Sequence, residues 1–172
     1  AAAGDARRLL ADGETVCLAG DAEQVRAQLD VILRDDASCY DITSENSAHM
    51  LMLGLCFGLP GYADPRSNKE AGYGRFDIQV EPSDTAVEAF SFVKPDRRPL
   101  ITVELKYLPK AEAPPAGPEL AERLGTLARE ALAQIACNAY DAGILPPAAS
   151  GRLRWGVAFS GRHVAVACKR AE

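Results

Sequence analysis

Two short alternating runs constrain this chain more than any other feature: Arg75-Phe76-Asp77-Ile78-Gln79-Val80-Glu81 and the stretch from Leu100 to Leu108. A period of two marks a half-buried strand, with successive side chains on opposite faces. In the first run Phe76, Ile78 and Val80 share one face, and Arg75, Asp77, Gln79 and Glu81 share the other. In the second, Ile101, Val103, Leu105 and Tyr107 oppose Thr102, Glu104 and Lys106. If the strands pair, two carboxylates and a lysine converge on one polar patch.

Helical patterns surround these runs. Val25, Leu29, Ile32 and Leu33 are spaced as one face of a helix over 21–36, and a short helix is expected over 5–11. Thr43 or Ser44 is suited to cap a helix running to about Leu59, apolar almost all round, before Pro60-Gly61 stops it. Ala86 to Val93 is read as a hairpin extending the sheet. A Pro- and Gly-rich loop spans 109–118. The helix from Pro118 to about Tyr140 carries Leu120, Leu124, Leu127, Ala131 and Ile135 in one stripe. Arg154 to Ser160 and His163 to Lys169 flank Gly161-Arg162 as a two-stranded hairpin. The expected architecture is an α/β sandwich around one mixed sheet, in the order α-β-β-β-α-β-β. An N-terminal helical extension over 1–42 precedes the main domain over 43–172.

With 172 residues, one substantial core is expected rather than two domains. The longest apolar stretch, Ala48 to Pro60, is too short to span a bilayer, so no membrane association is expected. The chain starts Ala1-Ala2-Ala3 without an initiator Met or signal-peptide pattern, as a fragment of a longer protein would. Five scattered cysteines form no close pair of the zinc-site kind and suggest a reducing cytoplasm. The net charge of −5 is uneven: residues 1–60 hold ten acids and four bases, whereas 142–171 hold no acid and five bases, Arg152, Arg154, Arg162, Lys169 and Arg170. Polyanion binding follows local potential, so this basic end is compatible with a phosphate backbone; it is equally compatible with a solvated charged face.

Asp77, Glu104 and Lys106 are the minimum set for divalent-metal phosphodiester hydrolysis. Carboxylate oxygens hold Mg²⁺ or Mn²⁺, and the lysine orients water or neutralises developing charge. A salt-bridged strand face is also ordinary in inactive proteins, so the triplet needs company. Gln134 intrudes on the apolar stripe of its helix and needs a polar partner, in the site or in nearby backbone. Glu45 and His49, one turn apart, are placed to meet the same site or to serve as a cap and a core residue. Gly72-Tyr73-Gly74 precedes a strand and lacks a third glycine, which excludes a dinucleotide-binding loop.

The order of elements resembles the PD-(D/E)XK nucleases, in particular a bacterial branch found C-terminal to an ATPase-like region. The similarity covers roughly Glu45 to Lys169. It rests on Glu45-Asn-Ser-Ala-His49, on Ser67 to Ile78, on Val103-Glu104-Leu105-Lys106, on Glu130 to Ile135 with Tyr140, and on Gly156-Val157-Ala158-Phe159. The resemblance implies a restriction-endonuclease-like core and a Mg²⁺- or Mn²⁺-dependent nuclease acting on DNA more than RNA. In it Asp77 and Glu104, with the Leu105 carbonyl, are metal ligands. Lys106 is the catalytic lysine, Glu45 an acidic helper near the metal, and Gln134 a helix residue facing the site. Glu70 and Arg75 lie in the branch signature, for strand-edge pairing and phosphate or carboxylate contact respectively. The nucleic-acid surface is expected at Arg75, Arg152, Arg154, Arg162 and Lys169. Phe76 replaces the proline of the name-giving pattern, which leaves the Asp77 carboxylate unaffected. The alternative is a weak or inactive module of the same fold that binds nucleic acid or protein within an ATPase-linked chain.

Overall fold

The computed structural model describes residues 19–35, 42–83, 98–143 and 145–172. The helix expected over 5–11 and the hairpin expected over 86–93 lie outside the described residues. The elements are α1 (Ala22–Asp35), α2 (Glu45–Cys56), β1 (Arg66–Ala71), β2 (Gly74–Val80), β3 (Leu100–Tyr107), α3 (Pro118–Cys137), β4 (Arg152–Ser160) and β5 (His163–Ala171). Their order is α-α-β-β-β-α-β-β, and the strands form one mixed sheet in the order β1-β2-β3-β4-β5. Only β3 and β4 run parallel; the other neighbours are antiparallel. The parallel pair requires a crossover, and α3 supplies it.

Both faces of the sheet are covered, so β3 is buried on both sides. Ile101, Val103 and Leu105 of β3 and Leu153, Trp155, Val157 and Phe159 of β4 pack with residues of α1 and α2 in the main core. The alternate residues face α3, where Ala158 joins Leu120, Leu124 and Ala128. At Gly156 the helix backbone comes so near that a Cβ would stand 2.0 Å from the Ala128 carbonyl oxygen, so only glycine admits α3 at this distance.

The helix expected within the N-terminal extension is not separate from this core. Leu29 and Leu33 of α1 are buried in the main cluster, and burial of each contributes about 2 to 3 kcal/mol. In α2 a reciprocal cap fixes the start: the Ser44 hydroxyl accepts from the Ser47 amide, and Ser47 Oγ accepts from the Ser44 amide. This sets Glu45 at the first helical position and His49 one turn on. Contrary to expectation, α2 buries only one face, with Met50 exposed opposite Ala48, Leu51 and Met52.

β1 was not expected. Its sequence, Arg66-Ser-Asn-Lys-Glu-Ala71, is mostly exposed because it is an edge strand. Such a strand has no apolar alternation to reveal it. α3 ends three residues earlier than expected, at Cys137, where Asn138 and the left-handed Ala139 (φ 52°) turn the chain back. The final hairpin forms around Gly161-Arg162 and is longer than expected at both ends.

Candidate active site

The site lies where β2 separates from β3. Their ladder pairs Val80 with Ile101, Gln79 with Thr102 and Ile78 with Val103, so the next positions along are Asp77 and Glu104. There the ladder stops. An Asp77 carboxylate oxygen, Oδ2, accepts the Leu105 amide at 2.8 Å in place of a strand carbonyl. Asp77 also lies opposite a gap on its other side. The β1–β2 ladder pairs Ser67 with Ile78 and Lys69 with Phe76, leaving Asn68 between them in a left-handed conformation (φ 51°). The separation turns Phe76 away from the Ile78 and Val80 face expected for it, into a small cluster with Ile135 and Tyr140 of the α3 side.

Within an extended strand the N–H and C=O of one residue point to the same edge. The Leu105 amide faces Asp77, so the Leu105 carbonyl is presented at this edge as well. Behind it, Glu104 is buried at 4% exposure. Gln134 of α3 donates through Nε2 to Glu104 Oε1 and accepts the Lys106 ammonium at Oε1. The amide orientation follows from the chemistry, since only its oxygen can face an ammonium and only its NH₂ a carboxylate. Tyr140, returning from the end of α3, accepts from Gln134 at 3.2 Å and from Asn138 at 2.8 Å. Glu104 Oε2 is buried with no partner among the described residues.

Both carboxyl groups are held above the ordinary carboxylate range. For Glu104, burial and then the Asp77 charge push the pKa up to about 7, against Lys106, the Asp77 backbone amide and the Gln134 hydrogen bond. For Asp77, burial raises it; the Leu105 amide, His49 and Lys106 oppose, while Glu45 adds to the rise. Each group therefore carries a charge that the protein only partly compensates.

These features suit a hard divalent cation. The orphaned Glu104 Oε2, the free side of Asp77 and the Leu105 carbonyl are oxygen donors of the kind Mg²⁺ and Mn²⁺ take, with water completing the shell. Glu45 is exposed at the start of α2, near enough for its charge to act on Asp77. Yet among the described residues no three His, Cys, Asp or Glu side chains gather as a metal cage. His49 is buried beneath, its Nε2 2.7 Å from the Ser67 hydroxyl of β1.

The basic residues divide. Arg75 is exposed on β2 opposite Glu70, Lys169 is exposed on β5, and Arg162 is exposed in the last turn. Arg152 and Arg154, expected on a phosphate-facing surface, are engaged by the chain itself. Arg154 grips the buried Asp141 through two contacts of 2.7 and 2.8 Å. Arg152 donates to the carbonyls of Asp141, Gly143 and Glu172. Both residues pin the turn after α3 to β4, because loop carbonyls and a buried carboxylate need donors that the start of this strand supplies.

Some polar groups around the site had no sequence signal of their role. Asn138 and Ser67 are ordinary loop and edge residues by type. Gln79 and Thr102, buried and hydrogen-bonded at 3.2 Å, extend the polar face beneath α3 and share the alternation that revealed Asp77 and Glu104.

Comparison with known proteins gives no match: no protein-family model, no curated protein and no solved structure corresponds to this chain. No described helix is long and apolar enough to cross a membrane.

Proposed function

We propose that this chain is a metal-dependent phosphodiesterase that cuts nucleic acid, DNA before RNA, on a restriction-endonuclease-like core of the PD-(D/E)XK type. One observation carries the reading. Asp77 and Glu104 meet at the split between β2 and β3, with Glu104 Oε2 buried and unpartnered and Lys106 held beside them through Gln134. The resemblance in motif order supports it, as does a mixed sheet with β3 and β4 parallel, packed against helices.

Bound Mg²⁺ or Mn²⁺ supplies a Lewis acid that polarises a phosphate and acidifies water. Asp77, Glu104 and the Leu105 carbonyl would hold it. Lys106, fixed at its ammonium by Gln134, stands ready to orient a water proton or to offset negative charge on the phosphate oxygens. Gln134 keeps Lys106 and Glu104 in one geometry, which a long flexible lysine alone does not guarantee. Glu45 adds negative field at the outer edge. Arg75 and Lys169 are exposed cations suited to meet phosphates.

The test is cleavage of single- and double-stranded DNA and RNA with Mg²⁺ or Mn²⁺, together with calorimetric Mn²⁺ titration. Wild type is expected to cut and to bind Mn²⁺, and Asp77→Asn and Glu104→Gln are expected to lose both. Absence of cutting together with Mn²⁺ binding indifferent to both substitutions removes the proposal. The alternative is a weak or inactive module of the same fold that binds nucleic acid or protein. Strand binding that survives Asp77→Asn in a protein with no turnover selects that alternative.

A further inference from the structure

The β1–β2 hairpin ends in a tyrosine that the fold holds in solvent. Tyr73 is 89% exposed. An isolated exposed aromatic is ordinary, but this one is fixed in place. Its backbone amide donates to the Asn138 carbonyl at 2.8 Å. Gly72 beside it has φ 56° and lies so close to the turn after α3 that a Cβ would stand 2.2 Å from the same oxygen. The tip is thus clamped to the body, and the ring is presented from a rigid base.

Under the ring lies a cleft of about 550 Å³, walled by Tyr73 and Tyr140 and floored by small residues, among them Gly72, Ala139, Ala142 and Gly143. Nothing on that floor extends beyond a Cβ, so a flat group can lie close against backbone. A chain of hydrogen bonds leads from the cleft wall to Glu104. Gly74 abuts the Tyr140 hydroxyl, with a would-be Cβ at 3.1 Å. That hydroxyl accepts from Gln134, which donates to Glu104. Between the tip and Asp77 along β2 comes the exposed Arg75. Four residues of extended strand separate Tyr73 from Asp77, about 13 Å.

We propose that Tyr73 stacks on an unpaired nucleobase of the strand whose phosphate lies at Asp77 and Glu104, making a single strand or a frayed end the substrate. This rests on the nuclease reading above. A ring face, an arginine and paired carboxylates in that order match the base, intervening phosphate and reacting phosphate of one strand. Stacking accepts any base, because each has a π-face. A duplex keeps those faces within its own stack, so only an unpaired base can enter.

The test uses a fluorescent oligothymidylate, an abasic strand of equal length and the corresponding duplex, with binding measured by anisotropy in EDTA and cleavage in Mn²⁺. Wild type is expected to bind the base-bearing strand more tightly than the abasic strand or the duplex. Tyr73→Ala should weaken the first by about 5- to 100-fold while leaving the abasic strand unchanged. Tyr73→Trp should restore the preference. With the side chain in solvent these variants fold. If wild type binds and cuts but Tyr73→Ala keeps its preference for bases, the stacking site is wrong and the nuclease reading stands. If wild type neither binds nor cuts any strand, both fall.

Discussion

The Asp77 carboxylate accepts a hydrogen bond from the Leu105 backbone amide at 2.8 Å, across the point where the β2–β3 ladder ends. An acidic side chain here does the work of a strand carbonyl and so holds the split open. That dual use separates fold from chemistry in a mutant. Asp77→Asn keeps an oxygen able to accept from Leu105 but removes the charge. It is expected to fold with near wild-type stability while cleavage falls by about 100-fold or more. Asp77→Ala removes the acceptor too and should lose a further ~1 to 3 kcal/mol of stability. Urea melts of both variants beside cleavage assays check this; equal melts would show that the Leu105 bond carries no weight.

The raised pKa of Glu104 gives the metal-free protein a stability that depends on pH. The unfolded carboxyl ionises near 4.5 and the folded one at about 7. Below 4.5 both states are protonated and the group imposes no penalty. Between these values the unfolded state gives up its proton first, so stability falls as pH rises and levels off above the folded pKa. The size is on the order of a few kcal/mol. Asp77, shifted in the same direction, adds to the fall. Glu104→Gln, neutral at every pH, should be more stable than wild type at pH 8 and show a smaller fall over this window. Denaturant titrations from pH 4.5 to pH 8 in EDTA provide the measurement, and a wild-type curve that rises with pH in this window refutes the assignment.

Gln134 is expected to matter more for turnover than its distance in sequence suggests. Gln134→Leu fits the apolar stripe of α3 but leaves Lys106 and Glu104 Oε1 without their shared partner. We expect a cost of about 1 to 3 kcal/mol in stability, and a loss of roughly 10- to 100-fold in kcat because the lysine is no longer positioned. The pH at which cleavage becomes half-maximal should also rise, since a hydrogen bond favouring the charged Glu104 has gone. A kcat loss with an unmoved pH profile would mean that Gln134 acts on Lys106 alone.

What was legible in the sequence follows from burial. Asp77, Glu104 and Lys106 could be placed on strand faces because β2 and β3 have apolar residues at every second position, and Gln134 stood out because it breaks an apolar stripe. β1 was invisible because an edge strand exposed on both sides has no pattern to keep, and its left-handed Asn68 disguises it further. The turn of Phe76 toward α3 was hidden for another reason: it depends on where the β2–β3 ladder ends, which is decided by a side chain substituting for backbone. Arg152 and Arg154 have the same appearance in sequence as phosphate-binding arginines. Only the path of the 138–143 turn shows that they face carbonyls and Asp141.

Gly156→Ala should be among the most damaging single changes in the chain. Its new Cβ would meet the Ala128 oxygen at 2.0 Å and the Leu132 nitrogen at 2.6 Å, both backbone atoms of α3 that cannot rotate away. Relief requires α3 to lift from β4, and α3 carries Gln134. A loss of about 3 kcal/mol or more is expected, and in the fraction that stays folded cleavage should fall as well. Comparison with Gly54→Ala, at a position with open space around it, controls for the substitution itself. Similar melts for the two variants would show that α3 does not pack as closely as this.

Arg154 provides a prediction in which structural and nucleic-acid roles part company. Its partner Asp141 has a side chain with 0% exposure, so removing the arginine strands a charge inside the protein. Arg154→Ala is expected to cost about 3 to 5 kcal/mol, and loosening the turn should disturb Tyr140 and through it Gln134. The salt dependence of polynucleotide binding should stay the same, because a guanidinium bound to Asp141 neutralises no phosphate. Lys169→Ala, by contrast, should leave stability nearly unchanged and lower the slope of log K against log salt by about one if that exposed lysine meets the strand. Measuring both variants by urea melts and by anisotropy at several salt concentrations separates the cases. A stable Arg154→Ala protein with a reduced slope would return this residue to the phosphate-binding surface.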